Sequence, residues 1–518
     1  RHADAHHLLA EQSTRNPFVG NHQQLQWLKQ KWQRVARRLN TPEKTEKSES
    51  QGKVTQAVLV QGEAGIGKSR LLQELYADVH DQGHHFYVCH CLPEHKNNGL
   101  FPFLELIRQT LNISESTPSS IALNRLELEF SQAGCSVERA LPILCTWLAL
   151  PIVRYPVSQV SPQRQKAWLL QAIAEWLIYL SKDQALLLVV EDLHWLDPTS
   201  LELLNKLSSL IAEQAQQSAT DKALLLVMTA RPEFQWPHSD SRGDSRGDSR
   251  GDIRSEKLET LQVSRLDKSG TQEMIYQLAS NKKLHPSVIS RIVMSTGGVP
   301  LFVEELTQML IDKHLLEKNG FWQLKNNNAL NEIPLTLRDL LIGQLDNLAG
   351  AKDTVQIAAS IGREFDYELL ACVVFKSCKE LDRDIAEMLN ADLIYKVSQT
   401  DKNQYVFRHN LIREAACEAM LTETRQQTHQ HIAHVLSTDF PERLKTHPEE
   451  VAEHYSLGER PEKSSQYFIK AASLAISTYS NQEALNFYTR AVQDINKVIP
   501  IVTSAVTSTV VSAGHAPG

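Results

Sequence analysis

The run Gly62-Glu63-Ala64-Gly65-Ile66-Gly67-Lys68-Ser69 has the residue types and spacing best suited to chemistry in this chain. It is an unbroken G-x-x-x-x-G-K-S pattern, which cradles phosphates with backbone N–H groups when it joins a strand to a helix. Both flanks are expected. Ala57-Val58-Leu59-Val60 is an apolar run of strand type, and Ser69 to Val79 sets Leu71, Leu72 and Leu75 along a helix. Glycines 62, 65 and 67 allow turns and a close backbone approach that a side chain would block. Lys68 would neutralise the β- and γ-phosphates, the Ser69 hydroxyl would ligate magnesium, and Arg70 would extend the contact set into the helix.

Such a loop needs a metal-holding carboxylate at the end of a neighbouring strand. Ala185-Leu186-Leu187-Leu188-Val189-Val190 is a second strand run, and Glu191 and Asp192 follow it directly. One would hold magnesium through water and the other would polarise the attacking water. Glu191 is favoured for the metal and Asp192 for the water, with the reverse assignment left open. A third strand run, Ala223-Leu224-Leu225-Leu226-Val227-Met228, leads to Thr229-Ala230-Arg231-Pro232. Pro232 forces Arg231 into an extended conformation at the sheet edge. From there its charge would stabilise a transferring phosphoryl group.

Those three runs alternate with helices, so they predict a parallel sheet covered on both faces. Leu25, Leu28, Trp32, Val35 and Leu39 predict one face of an earlier helix. Its Lys29, Lys31, Arg34, Arg37 and Arg38 read as a solvated face rather than a phosphate site. Residues 1–17 and Thr41 to Lys53 read as polar linkers. Arg-Gly-Asp occurs three times between Asp240 and Asp252; the polar, period-four setting reads as a disordered loop, not an integrin ligand. Beyond Leu258 the pattern turns helical, with a hairpin signal at Lys318-Asn319-Gly320-Phe321 and a short strand at Tyr405-Val406-Phe407. Ala471, Ala475, Tyr479, Ala484, Tyr488 and Ala491 place small and aromatic residues where antiparallel helices meet, as in tetratricopeptide repeats. The Val/Thr/Ser-rich stretch 501–518 fits no helical pattern and is expected to be an unstructured tail.

Composition narrows the classes. The 518 residues suffice for about three or four domains. A net charge of −7 argues against a general nucleic-acid coat. Seven scattered cysteines fit a reducing, cytoplasmic setting better than a disulfide framework. No apolar run reaches the length of a membrane span, so no membrane partner is expected. Cys89-His90-Cys91, with His84 and His85 nearby, does not make a zinc site: in a strand residue 90 points away from 89 and 91. The chain starts at Arg1 rather than Met, which reads as a piece of a longer protein.

The ordered set Phe18-Val19-Gly20, Gly62 to Ser69, Glu191-Asp192-Leu193-His194-Trp195-Leu196-Asp197 and Thr229-Ala230-Arg231-Pro232 resembles the AAA-type ATPase module of STAND signalling NTPases. The likeness continues through Gly297 to Leu306, Ala359 to Phe365 and Phe407 to Ile412, and covers roughly residues 18–496. It implies an α/β P-loop NTPase with a parallel sheet (18–265), an all-α lid (266–330), a winged helix (331–440) and the start of a helical-repeat sensor (441–500).

It also implies ligands and roles. The nucleotide would be ATP or ADP with magnesium. Val19 and Gly20 would lie beside the base. Pro300 would contact base or ribose, Arg231 would sense the γ-phosphate, and His409 would contact the β-phosphate of ADP and lock a resting state. Asn21 stands where the family usually has arginine, and Asn410 where it often has aspartate. The implied function is a slowly hydrolysing signal-transduction switch that takes a protein partner or signal through its C-terminal helices and regulates a fused or partner effector, with the effector domain expected upstream. Two alternatives remain: a DNA-associated ATPase of the origin-recognition type, and a scaffold that holds nucleotide without hydrolysing it.

Overall fold

The computed structural model describes residues 18–37, 56–114, 117–151, 154–155, 160–216, 223–236, 258–280, 282–318, 321–324, 334–348, 350–397, 403–478 and 480–513. The expected linkers at 1–17 and 41–53 and the Arg-Gly-Asp repeat lie outside these residues.

Five parallel strands make the principal sheet: β1 (Ala57–Gln61), β2 (His85–His90), β3 (Leu186–Glu191), β4 (Leu224–Ala230) and β5 (Glu259–Gln262). Their order is β2-β3-β4-β1-β5. The three apolar runs are the three central strands, and every residue of β3 and β4 is buried. Alternate residues feed opposite layers. Val58, Val60, Leu187, Val189, Leu225 and Val227 pack with helices His22–Ala36 and Lys68–Asp81. Leu59, Leu186, Leu188, Val190, Leu226 and Met228 pack with helices Phe101–Thr110, Pro162–Tyr179 and Pro198–Gln216. The edge strands β2 and β5 carry polar residues and one neighbour each, so they lack the continuous apolar signal. On helix His22–Ala36, Lys29 pairs with Asp78 at 2.9 Å and Lys31 with Glu259 at 2.6 Å, so these two cations are held by carboxylates of the fold.

Helices Lys268–Ala279, Pro286–Thr296 and Pro300–Met309 follow the sheet and lead into the antiparallel pair β6 (Leu315–Lys318) and β7 (Phe321–Leu324). The hairpin thus forms where its sequence signal predicts it. Helices Lys352–Ile361, Tyr367–Val373 and Cys378–Asn390 then combine with β8 (Glu364–Asp366), β9 (Ile394–Val397) and β10 (Gln404–Phe407), ordered β8-β10-β9, in a winged-helix topology. Ser377 and Glu380 close a capping box that starts the third of those helices. One continuous core joins the lid to the winged helix, from Ile275 and Val303 to Leu370 and Phe407.

The C-terminal helices Pro448–Leu457, Pro461–Ser477 and Asn481–Ala513 stack side by side. Ala471, Ala475, Ala484 and Ala491 are buried there, as their spacing predicts. The aromatic contacts differ from expectation: Phe468 and Phe487 fill the seam, Tyr488 is 39% exposed, and Tyr479 lies outside the described residues. The last helix also runs on through Ala513, where an unstructured tail is expected. Extending an existing helix adds one hydrogen bond per residue, and β-branched residues oppose that by only a few tenths of a kcal/mol each.

Candidate functional site

The loop Gly62 to Ser69 leaves β1 at the carboxyl edge of the sheet and enters helix Lys68–Asp81. Gly65 (φ 72°) and Gly67 (φ 96°) adopt the left-handed conformation that a side chain would strain. Lys68 is buried, and its Nζ donates to the carbonyls of Gly62 (2.8 Å) and Glu63 (2.9 Å), which fixes the ammonium across the mouth of the loop. Burial holds its pKa below the usual lysine value, against the pull of Asp192. Glu63 pairs with Arg265 at 2.7 Å, and Arg70 with Glu74 at 2.7 Å along its own helix.

The segments expected around the base converge on the same loop. Leu301 N–H donates to the Gly65 carbonyl at 3.2 Å, so the helix opened by Pro300 begins against the phosphate loop. Leu266 N–H donates to the Gly298 carbonyl at 2.8 Å. Gly20, after Val19, fits under Leu266, and Asn21 Nδ2 donates to the Ser264 carbonyl at 3.3 Å. Gly298 is the tightest of these joints: its φ is 77°, and a Cβ there would sit 2.1 Å from the Leu266 carbonyl oxygen. Gly298→Ala should therefore cost about 3 kcal/mol, combining left-handed strain with a backbone clash. Thermal denaturation should show a fall of several degrees; an unchanged midpoint would mean that the turn relaxes freely.

Glu191 ends β3 and Asp192 follows in the left-handed region (φ 61°), its N–H bonded to Thr229 Oγ1 at 2.9 Å. This turns two successive carboxylates toward one place. Burial raises the Glu191 carboxyl, but the His90 ring, Arg363 and the Ser69 hydroxyl together bring it below its ordinary value; His90 Nδ1 lies 3.3 Å from Oε2. Burial and Glu191 instead push Asp192 up. The His194 ring lies 4.0 Å from Asp192, and burial lowers its pKa to about 4.

Arg231 leaves the end of β4 on the same edge and reaches Glu414 of the helix Asn410–Glu418, Nη2 to Oε1 3.5 Å. Arg363, in the winged helix, approaches Asp192 Oδ2 at 4.0 Å. His409 precedes helix Asn410–Glu418; its Nε2 is buried without a hydrogen-bond partner, and burial lowers the ring's pKa to about 3. The sequence alone assigns no role to Arg363, Glu414, His90 or His194. Arg363 and His194 lie within motifs visible there, but only the fold reveals what they face.

Comparison with known proteins decides the class. The sequence profile of the AAA ATPase domain matches residues 46–227, which hold the loop, both carboxylates and the strands beneath them. Over this segment the chain is similar to an AAA ATPase domain. Along more of its length the chain is similar to an uncharacterized protein of Rhizobium meliloti, 25% identical over 446 residues. That match takes in 84% of this chain, which spans 40% of the relative's length. Among solved structures it is similar to a STAND (signal transduction ATPase with numerous domains) protein with a tetratricopeptide repeat sensor from Pyrococcus horikoshii. That likeness has a TM-score of 0.40 and 11% identity, over 94% of this chain and 66% of the other.

The AAA ATPase domain offers a donor set that fits magnesium. Ser69, Glu191 and Asp192 are all oxygen donors, the Ser69 hydroxyl helps to lower the Glu191 pKa, and oxygen ligands suit that cation. Among the described residues no helix is long and apolar enough to cross a membrane.

Proposed function

We propose that the chain is an ATP-hydrolysing conformational switch of the STAND type, in which the lid and winged helix close over the AAA ATPase domain and the C-terminal helices carry the signal. The observation that carries this reading is the convergence on one sheet edge of the phosphate loop, Glu191, Asp192 and Arg231, with the winged helix reaching both Asp192 and Arg231.

The loop amides and Lys68 bind and orient the β- and γ-phosphates. Bound magnesium would supply charge neutralisation on those oxygens, held from Ser69 and the carboxylate pair. Glu191, the more buried carboxylate with the depressed pKa, suits the metal side. Asp192 then orients the water whose oxygen bonds to the γ-phosphorus as the bond to the β–γ bridging oxygen breaks. ADP leaves with that electron pair, and the water's proton passes to Asp192. Arg231 offsets negative charge on the transferring group.

Direct contacts give the C-terminal helices a route to this site. Thr199, seven residues past Asp192, donates its N–H and hydroxyl to Glu483 Oε1 at 3.0 and 2.6 Å. Asn98 meets His447 at 3.0 Å. A protein partner or signal that displaced those helices would break these bonds and shift the balance between a closed ADP form and an open ATP form.

His409 tests the closed form. Its buried, unpartnered Nε2 is suited to the β-phosphate of ADP. His409→Ala should weaken ADP binding about fivefold or more relative to ATP, because only the closed form makes the contact. Calorimetry with both nucleotides measures it. An equal change in the two affinities would make His409 a packing residue.

A further inference from the structure

The winged helix pairs with the AAA ATPase domain at two charged groups of opposite sign, and both are groups the hydrolytic step would use. Arg363 Nη1 lies 4.0 Å from Asp192 Oδ2, and Arg231 Nη2 lies 3.5 Å from Glu414 Oε1. Neither approach is incidental to a loose surface. The Arg363 side chain is 17% exposed, and its Nε is buried without a hydrogen-bond partner. Its backbone N–H donates to Glu94 Oε1 at 2.9 Å, on the segment that follows β2. Gly362 permits that grip, since a Cβ there would stand 2.9 Å from the same carboxylate oxygen. Glu414 is set in turn by Asn410, whose Nδ2 donates to Oε1 at 2.7 Å, and Arg413 Nε donates to Asn410 Oδ1 at 3.2 Å. The Asn410 amide donates where a carboxylate at that position would repel Glu414.

We propose that Arg363 and Glu414 are positioning residues that restrain ATP hydrolysis while the winged helix is docked, Arg363 by engaging Asp192 and Glu414 by engaging Arg231. This rests on the ATPase reading above. In the docked form Asp192 faces a guanidinium, and the Arg231 charge is turned onto a carboxylate. Undocking releases both groups together, so a single movement of one domain changes the acid–base and the electrostatic parts of the site at once. Because each pair crosses from one domain to the other, opening costs the attraction of two partly solvated ion pairs. That attraction is modest and screened by salt.

The test uses the full chain carrying Arg363→Gln and Glu414→Gln together, with Glu94→Ala as a second variant that loosens the Arg363 backbone without removing its charge. Phosphate release from ATP and dissociation of a fluorescent ADP analogue are both followed at low and high salt. In the double variant kcat should rise about fivefold or more while KM for ATP changes less than twofold, and ADP should leave faster. Salt should accelerate the parent but not the double variant, a difference that loss of packing alone would not produce. Glu94→Ala should move in the same direction by less, and Arg363→Lys should recover part of the restraint. A turnover that falls or stays the same in the double variant, with salt activation retained, overturns the proposal. If the parent binds ATP but releases no phosphate, the ATPase reading fails by itself; ADP dissociation then decides the pairing, and an unchanged rate overturns it.

Discussion

Lys68→Ala is expected to lower ATP affinity at least tenfold, about 1.4 kcal/mol or more. The ammonium is buried and held across the mouth of the loop by the Gly62 and Glu63 carbonyls, so its charge is already placed where phosphates would lie. A preplaced charge loses little freedom when ligand arrives, and one in a poorly solvated site acts more strongly than one in water. Alanine also removes the two bonds that brace the loop, so the melting temperature of the variant is measured alongside. Calorimetry showing the same ATP affinity in variant and parent would remove the phosphate loop from the account.

Removing both neighbouring carboxylates should have a larger effect on rate and a smaller one on binding. Glu191→Gln with Asp192→Asn keeps the shapes and the Asp192 N–H bond to Thr229 but removes the two negative charges. Backbone amides and Lys68 still face the phosphates, so magnesium-free nucleotide should bind nearly as before. Phosphate release should fall to background, because neither a metal-holding carboxylate nor a proton acceptor remains at the end of β3. Release at the parental rate would show that the chemistry lies elsewhere. Loss of magnesium-free binding would show that the carboxylates support the loop.

Much of the site is legible from local sequence. The glycine loop, its strand and its helix are adjacent in the chain, and the G-x-x-x-x-G-K-S spacing states their geometry directly. Glu191, Asp192 and Arg231 are legible because fully buried parallel strands read as apolar runs, and the residue after each run must emerge at the carboxyl edge. Strands β2 and β5 are not legible in the same way. At the edges of the sheet they tolerate histidine, glutamate and glutamine, and their pairing partners are distant in sequence.

The charges that cross between domains are the least legible part. Nothing near Arg363 in the chain says that it meets Asp192, and nothing near Glu414 says that it meets Arg231. Their separations are 171 and 183 residues, and only the packing of lid, winged helix and sheet closes them. The contact of Glu483 with Thr199, 284 residues apart, is of the same kind. The C-terminal seam shows a milder version: small residues at helical spacing identify the antiparallel helices, while the choice of Phe468 and Phe487 over Tyr488 depends on how the helices rotate against each other.

Phosphate release from ATP by the full chain with magnesium, measured beside the Lys68→Ala protein, decides whether the phosphate loop and its carboxylates hydrolyse ATP. Slow multiple turnover is expected from the parent, and release no faster than background from the variant. Equal release from the two proteins, or none from a parent that demonstrably binds ATP, would contradict this expectation.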